Sequence, residues 1–141
     1  YLLEKKVPPC RVTLEITEKE YVGDLNSLEE ILSKYKRLGF TFAIDDFGTG
    51  FSSMHYLQRL PVDYVKIDGV FIKELHRSEA DRHLVRSLVH MAKAYGIRTI
   101  AEFVESEEVL STVRELGIDY AQGYYLGKPQ ACWSLNFPND C

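Results

Sequence analysis

The sequence predicts an α/β fold, part of a (β/α)₈ barrel of the TIM type comprising about five C-terminal strands with their helices. Two observations carry this prediction. Alternating, strand-like runs are interleaved with amphipathic helical patterns, which implies a parallel sheet covered by helices. Three helical patterns also stop at a glycine (Gly39, Gly96, Gly117), and the strand that follows each carries a polar residue five or six positions on, at Asp45, Glu102 or Gln122. In a barrel the C-terminal strand ends share one mouth, whereas a doubly wound sheet gathers them only near its switch point. Glu15, Asp45, Asp46, Lys66, Glu102 and Gln122 all fall at strand ends, so the barrel fits better.

The elements follow in order. Residues 11–18 alternate, with Val12, Leu14 and Ile16 on one face and Thr13, Glu15 and Thr17 on the other. Leu28, Ile31, Leu32, Tyr35 and Leu38 then recur at helical spacing, with Ser27 and Glu30 as a capping-box pair. An apolar run leads into Asp45-Asp46 and a glycine-rich turn. Residues 62–68 alternate again and place Lys66 and Asp68 together, opposite Val65 and Ile67. A second helix repeats Leu84, Val85, Leu88, Val89, Ala92 and Tyr95. The next strand, 97–102, is expected to continue through Phe103-Val104-Glu105. Val109, Leu110, Val113 and Leu116 form a third helix, and 120–124 a last short strand.

Adjacent carboxylates at the end of a buried strand repel each other and lose hydration. A hard divalent cation, Mg²⁺ or Mn²⁺, resolves that conflict through oxygen ligands. An exposed Asp-Asp turn before glycine is the plainer explanation, but the other polar strand ends outweigh it.

Composition narrows the rest. The 141 residues make one domain, 45% hydrophobic and with a formal charge of −4, which argues against a nucleic-acid-binding surface. A small anionic substrate stays compatible, because bound cations and Lys66 supply local positive charge. No run approaches the ~20 apolar residues of a membrane span, and no signal peptide is recognisable. Cys10, Cys132 and Cys141 lack metal-ligand spacing and are expected to be reduced thiols in the cytoplasm. His76, His83 and His90 are spaced seven apart, about 10 Å between neighbours on a helix, and read as a solvated face. A full barrel needs roughly 250 residues, so a partial arc with two open sheet edges is expected to self-associate.

These motifs resemble the EAL domain family, the bacterial phosphodiesterases that hydrolyse cyclic di-GMP, over about residues 12–129. Leu14-Glu15-Ile16-Thr17-Glu18 is similar to the ExTE motif, and Asp45-Asp46-Phe47-Gly48-Thr49-Gly50-Phe51-Ser52-Ser53 to the DDFGTGxSS loop. Leu60-Pro61-Val62-Asp63 with Lys66-Ile67-Asp68 resembles LPVDxxKID. Ala101-Glu102-Phe103-Val104-Glu105 resembles AEGVE, with Phe103 in place of glycine, and Tyr120-Ala121-Gln122-Gly123-Tyr124 resembles YAQGY.

The resemblance implies a two-metal site. Glu15 would bind one ion, Asp45 would bridge both, and Asp46 and Glu102 would complete the second position. Lys66 would orient and polarise the attacking water, with Asp68 beside it. Because an ammonium is not a ligand, removing it is expected to leave metal affinity nearly intact. Gln122 and Glu105 would contact substrate or support the ligands, and Glu18 would brace the loop 47–53, which in the family couples metal binding to dimerisation. The implied reaction is hydrolysis of cyclic di-GMP to linear pGpG, with a receptor or protein-interaction module that has lost catalysis as the alternative. A metal-assisted barrel of the enolase type fits less well, given the intact Asp-Asp-Phe-Gly-Thr-Gly loop.

By the same resemblance, residues 1–11 would be the remnant of a preceding helix or loop, 12–130 the C-terminal part of the barrel and 131–141 a tail of no assigned role. The family's Glu-x-Leu strand and a metal-binding Asn would precede Tyr1, so the isolated chain is expected to bind metal poorly and be inactive. An upstream regulatory or cyclase domain, a homodimer, and a parent protein tethered to the inner membrane are further expectations.

Overall fold

The computed structural model describes residues 7–17, 24–49 and 57–129. A 3₁₀ turn, Pro9–Arg11, leads into β1 (Thr13–Thr17), followed by α1 (Leu25–Arg37), β2 (Thr41–Phe47), β3 (Tyr64–Ile67), the short α2 (Gly69–Ile72), α3 (Glu79–Ala94), β4 (Arg98–Ala101), α4 (Glu107–Glu115) and β5 (Tyr120–Ala121). The five strands form one parallel sheet in the order β1-β2-β3-β4-β5. Strand order follows chain order without reversal. That is the arrangement of a barrel arc, since a doubly wound sheet would show a switch point.

The two faces of the sheet differ. Phe42, Ile44 and Phe47 of β2, Val65 and Ile67 of β3 and Ala101 of β4 are buried in one core with Val85, Leu88 and Val89 of α3 and Val109, Leu110 and Val113 of α4. The register pairs Ile44 with Val65 and Ile67 with Ala101, so these side chains share the helix-covered face. The opposite face carries Glu15, Ala43, Lys66, Tyr64 and Tyr120, which line a hollow of about 350 Å³.

Local details refine the sequence reading. The N-cap of α1 is Asp24, whose Oδ2 accepts from the Ser27 amide, in place of the Ser27–Glu30 capping box. The helix begins three residues earlier than expected because an aspartate at that point already satisfies an orphan amide. Gly39, Gly96 and Gly117 follow the helix ends with φ of +100°, +71° and +71°, a conformation that suits glycine. Strand β4 stops at Ala101 and does not run on to Glu105, because Phe103 turns to φ +53°. Asp68 lies past β3, where its Oδ1 accepts from the Val70 amide and caps α2. His76 sits in the turn before α3 and so does not share a helix face with His83 and His90.

Cys10 is disulfide-bonded, against the expectation of reduced thiols. Its partner lies outside the described residues, and spacing along a chain says nothing of which thiols a fold brings together. Glu18, residues 50–56 of the glycine-rich loop and the tail 131–141 also lie outside the described residues. Among the described residues, no helix is long and apolar enough to cross a membrane.

Candidate active site

Adjacent residues on a regular strand point to opposite faces, so Asp45 and Asp46 would not normally serve one site. The backbone solves this with a bulge. Ile44 pairs with Val65 and Phe47 with Ile67, so the register shifts between them. Asp46 takes φ +56°, and the two carboxylates fall between two residues that both face the core. One extra residue with a left-handed backbone re-aims a side chain, as bulges beside active sites do. The Thr49 hydroxyl and amide both donate to the Asp46 carbonyl, at 3.0 and 3.4 Å, and hold the turn.

Lys66 arrives from β3 at the centre of the cluster. Its Nζ lies 3.0 Å from Glu15 Oε2 on β1, 3.0 Å from Asp45 Oδ1 on β2 and 2.9 Å from Glu102 Oε1 just past β4. One oxygen from each of Asp45, Asp46 and Glu102 lies within 4.8 Å of the others, close enough to hold one metal ion. Four strands thus deliver five of the sequence-predicted residues to one strand-end rim. Gln122 and Glu105 stand at its side, where they line a groove of about 290 Å³ with Phe103 and Tyr124. Asp68 caps α2, as described above. A larger hollow of about 1080 Å³ along α1 shares no residue with the rim.

The electrostatics show an excess of negative charge. Burial alone would lower the Lys66 pKa, but the ammonium's close contacts with the Glu102, Glu15 and Asp45 carboxylates outweigh it and raise the pKa above its ordinary value. Glu102 is also raised, first by burial, and then by Asp45 and Glu15 acting against the pull of Lys66. Lys66 lowers the Glu102 pKa only in part, so burial together with the neighbouring carboxylates prevails. Asp45 Oδ1 repeats the point. It is buried, and although the ammonium is 3.0 Å away, no hydrogen bond is directed at it. An all-carboxylate donor set, an orphaned buried oxygen and uncompensated charge fit a hard divalent cation.

Phe103 is the feature the sequence treated too lightly. Its ring packs on Gly69, where an added Cβ would lie 2.3 Å from Phe103 Cδ2, and the Lys73 ammonium sits 4.4 Å from the ring centroid. The sequence reading also missed Asp63 and Asp119. Asp63 Oδ2 accepts from the Phe42 amide at 2.9 Å, and Asp119 Oδ2 accepts from the Thr99 amide at 2.8 Å and the Thr99 hydroxyl at 2.9 Å. The available signal was the repeat of Val62-Asp63-Tyr64 as Ile118-Asp119-Tyr120. The two tyrosines then flank Arg98, whose guanidinium donates to both phenol oxygens at 2.9 Å.

The same arrangement of strands recurs in known proteins. The EAL domain family model matches residues 1–129. The cyclic di-GMP phosphodiesterase PdeB of Shewanella oneidensis is 46% identical over 124 residues, 88% of this chain and 14% of PdeB. The crystal structure of the EAL domain of Mycobacterium smegmatis DcpA superposes with a TM-score of 0.85 at 40% identity, covering 91% of this chain and 57% of that one. The Pseudomonas aeruginosa MucR phosphodiesterase in complex with c-di-GMP follows with a TM-score of 0.82 at 37% identity, covering 91% and 52%. The chain therefore spans a minor part of PdeB and little more than half of each solved domain. With its carboxylates gathered at the strand ends and the family pattern running through residue 129, this chain belongs to the EAL domain family.

Proposed function

We propose that this chain supplies most of the catalytic rim of a metal-dependent phosphodiesterase that hydrolyses cyclic di-GMP to linear pGpG. The observation that carries the reading is the convergence of Glu15, Asp45, Asp46 and Glu102 around Lys66. Asp45, Asp46 and Glu102 would hold one divalent cation, and Glu15, with Asp45 shared, a second. Such cations, Mg²⁺ or Mn²⁺, supply the Lewis acidity that makes water nucleophilic at neutral pH and steadies charge on the phosphoryl oxygens.

The chain's own groups do the rest. Lys66 holds its proton above the ordinary lysine value, so it acts as a fixed positive charge toward phosphate and water and does not serve as a base. Gln122 and Glu105 border the groove in which an adjoining part of the nucleotide would lie. The concave face stays open among the described residues, with Glu15 half-exposed. An open rim admits water to every charge and weakens electrostatic stabilisation, so we expect the 141-residue chain by itself to turn over slowly.

The test is cyclic di-GMP hydrolysis by the full-length protein with Mg²⁺ or Mn²⁺, with the product identified by mass. Asp45→Asn should lower turnover by at least ~10²-fold, on the scale of losing one strong electrostatic contact in an active site. Normal turnover in Asp45→Asn would remove the two-metal assignment. Binding of cyclic di-GMP without hydrolysis under either metal would replace the enzyme by a receptor.

A further inference from the structure

We propose that Lys66 is a resident counter-cation of the site, holding the carboxylates together when no divalent ion is bound and competing with that ion for the same groups. The inference rests on the metal-site reading above. Lys66 is 5% exposed, and its ammonium lies within 3.0 Å of oxygens from Glu15, Asp45 and Glu102. Two of those three, Asp45 and Glu102, belong with Asp46 to the group whose oxygens lie within 4.8 Å of one another. The ammonium and a divalent ion therefore claim overlapping carboxylates.

The physical consequence runs in two directions. Without the ammonium, four carboxylates would face each other across a partly dry rim, and repulsion would splay the strand ends. With it, an entering cation meets charge that is already partly neutralised and binds less tightly than the bare carboxylates would allow. The sequence reading, in which removing the ammonium leaves metal affinity nearly intact, considered ligation and not competition. Geometry points the other way. A lysine freed from Asp45 and Glu102 by the incoming ion also becomes available to an anionic ligand, so cation binding and phosphate recognition are coupled through one side chain.

The experiment compares wild type with Lys66→Met in the full-length protein, by calorimetric Mn²⁺ titration and by metal-free thermal melting. The expected result is a lower metal-free melting temperature in Lys66→Met, tighter Mn²⁺ binding by about tenfold, since one unit charge a few ångströms away is removed, and a melting difference that shrinks at saturating Mn²⁺. A folded Lys66→Met that binds Mn²⁺ no more tightly than wild type overturns the proposal. If Lys66→Met does not fold without metal, Glu15→Gln is compared with Glu15→Gln/Lys66→Met, in which one carboxylate charge leaves with the ammonium. Tighter Mn²⁺ binding in the double variant supports the counter-cation, and equal or weaker binding overturns it. A wild type that takes up no Mn²⁺ removes the metal reading together with this inference. A wild type that binds Mn²⁺ while Lys66→Met gains nothing removes the inference alone.

Discussion

Two residues at the acidic rim, Asp46 within it and Phe103 beside it, adopt a left-handed backbone that most side chains disfavour. Asp46 at φ +56° is tolerable, because a short polar side chain visits the left-handed region readily. Phe103 at φ +53° is costly, on the order of 1 kcal/mol or more. What holds it there is contact: the ring covers Gly69 and lies under the Lys73 ammonium. Gly69→Ala should therefore destabilise the protein by about 1–3 kcal/mol through overpacking. In a Phe103→Gly background most of that loss should vanish. A double-mutant cycle of denaturant midpoints measures it, and additive losses would contradict the contact. The acidic cluster also makes a pH prediction. The Glu102 pKa is raised above 4.5, chiefly by burial, so the folded state binds its proton more tightly than the unfolded chain does. Its contribution to metal-free stability is thus present below 4.5 and is lost as pH rises through the raised value. Lys66 behaves alike at the other end, its contribution being full below 10.5 and lost only above it. Urea midpoints against pH in chelator should show wild type losing, just above 4.5, stability that Glu102→Gln retains. Parallel profiles would count against the buried, uncompensated carboxylate.

At the scale of elements, periodicity made the sheet and its helices legible, and chemistry made the rim legible. Apolar spacing located α1, α3 and α4, and polar strand ends named the five residues that meet at the mouth. What stayed hidden depended on backbone geometry and on partners far along the chain. Alternation alone puts Asp46 on the wrong face, and nothing local announces the bulge that brings it back. Asp119 lies outside every strand and helix pattern that the sequence offered, yet it clamps Thr99, which is fully buried, through both amide and hydroxyl. The distance of 20 positions between them lies beyond any local pattern. Asp119→Ala should leave both groups unsatisfied and cost about 1–3 kcal/mol, read as a fall in the urea midpoint. A loss below a few tenths would show that water takes over both bonds. Ser106, whose hydroxyl accepts from the Val109 amide at 3.3 Å, makes a milder case. Ser106→Ala should cost about 1 kcal/mol as an ordinary N-cap loss in a melting experiment.

For the whole molecule, strand order governs behaviour. Among the described residues β1 and β5 each pair on one side, leaving two sheet edges. Leu14 on β1 and Tyr120 on β5 are more than a third exposed, and Tyr124, Tyr125 and Leu126 continue the exposed apolar surface beyond β5. Edges of this kind recruit further strands or partner surfaces. The chain should therefore self-associate, giving a dimer or larger species by light scattering at low micromolar concentration, and a stable monomer there would refute this. The order β1-β2-β3-β4-β5 bears on the birth of the protein as well. Each strand needs only a predecessor already synthesised, so the sheet can grow in the direction of translation. Glu15, Asp45 and Lys66 come within reach once β3 has docked, and Glu102 joins a helix later. Glu102, the last made of the four rim acids, thus meets an ammonium already in position, whereas Glu15, Asp45 and Asp46 wait for Lys66 to arrive on β3 before the mouth can close over them.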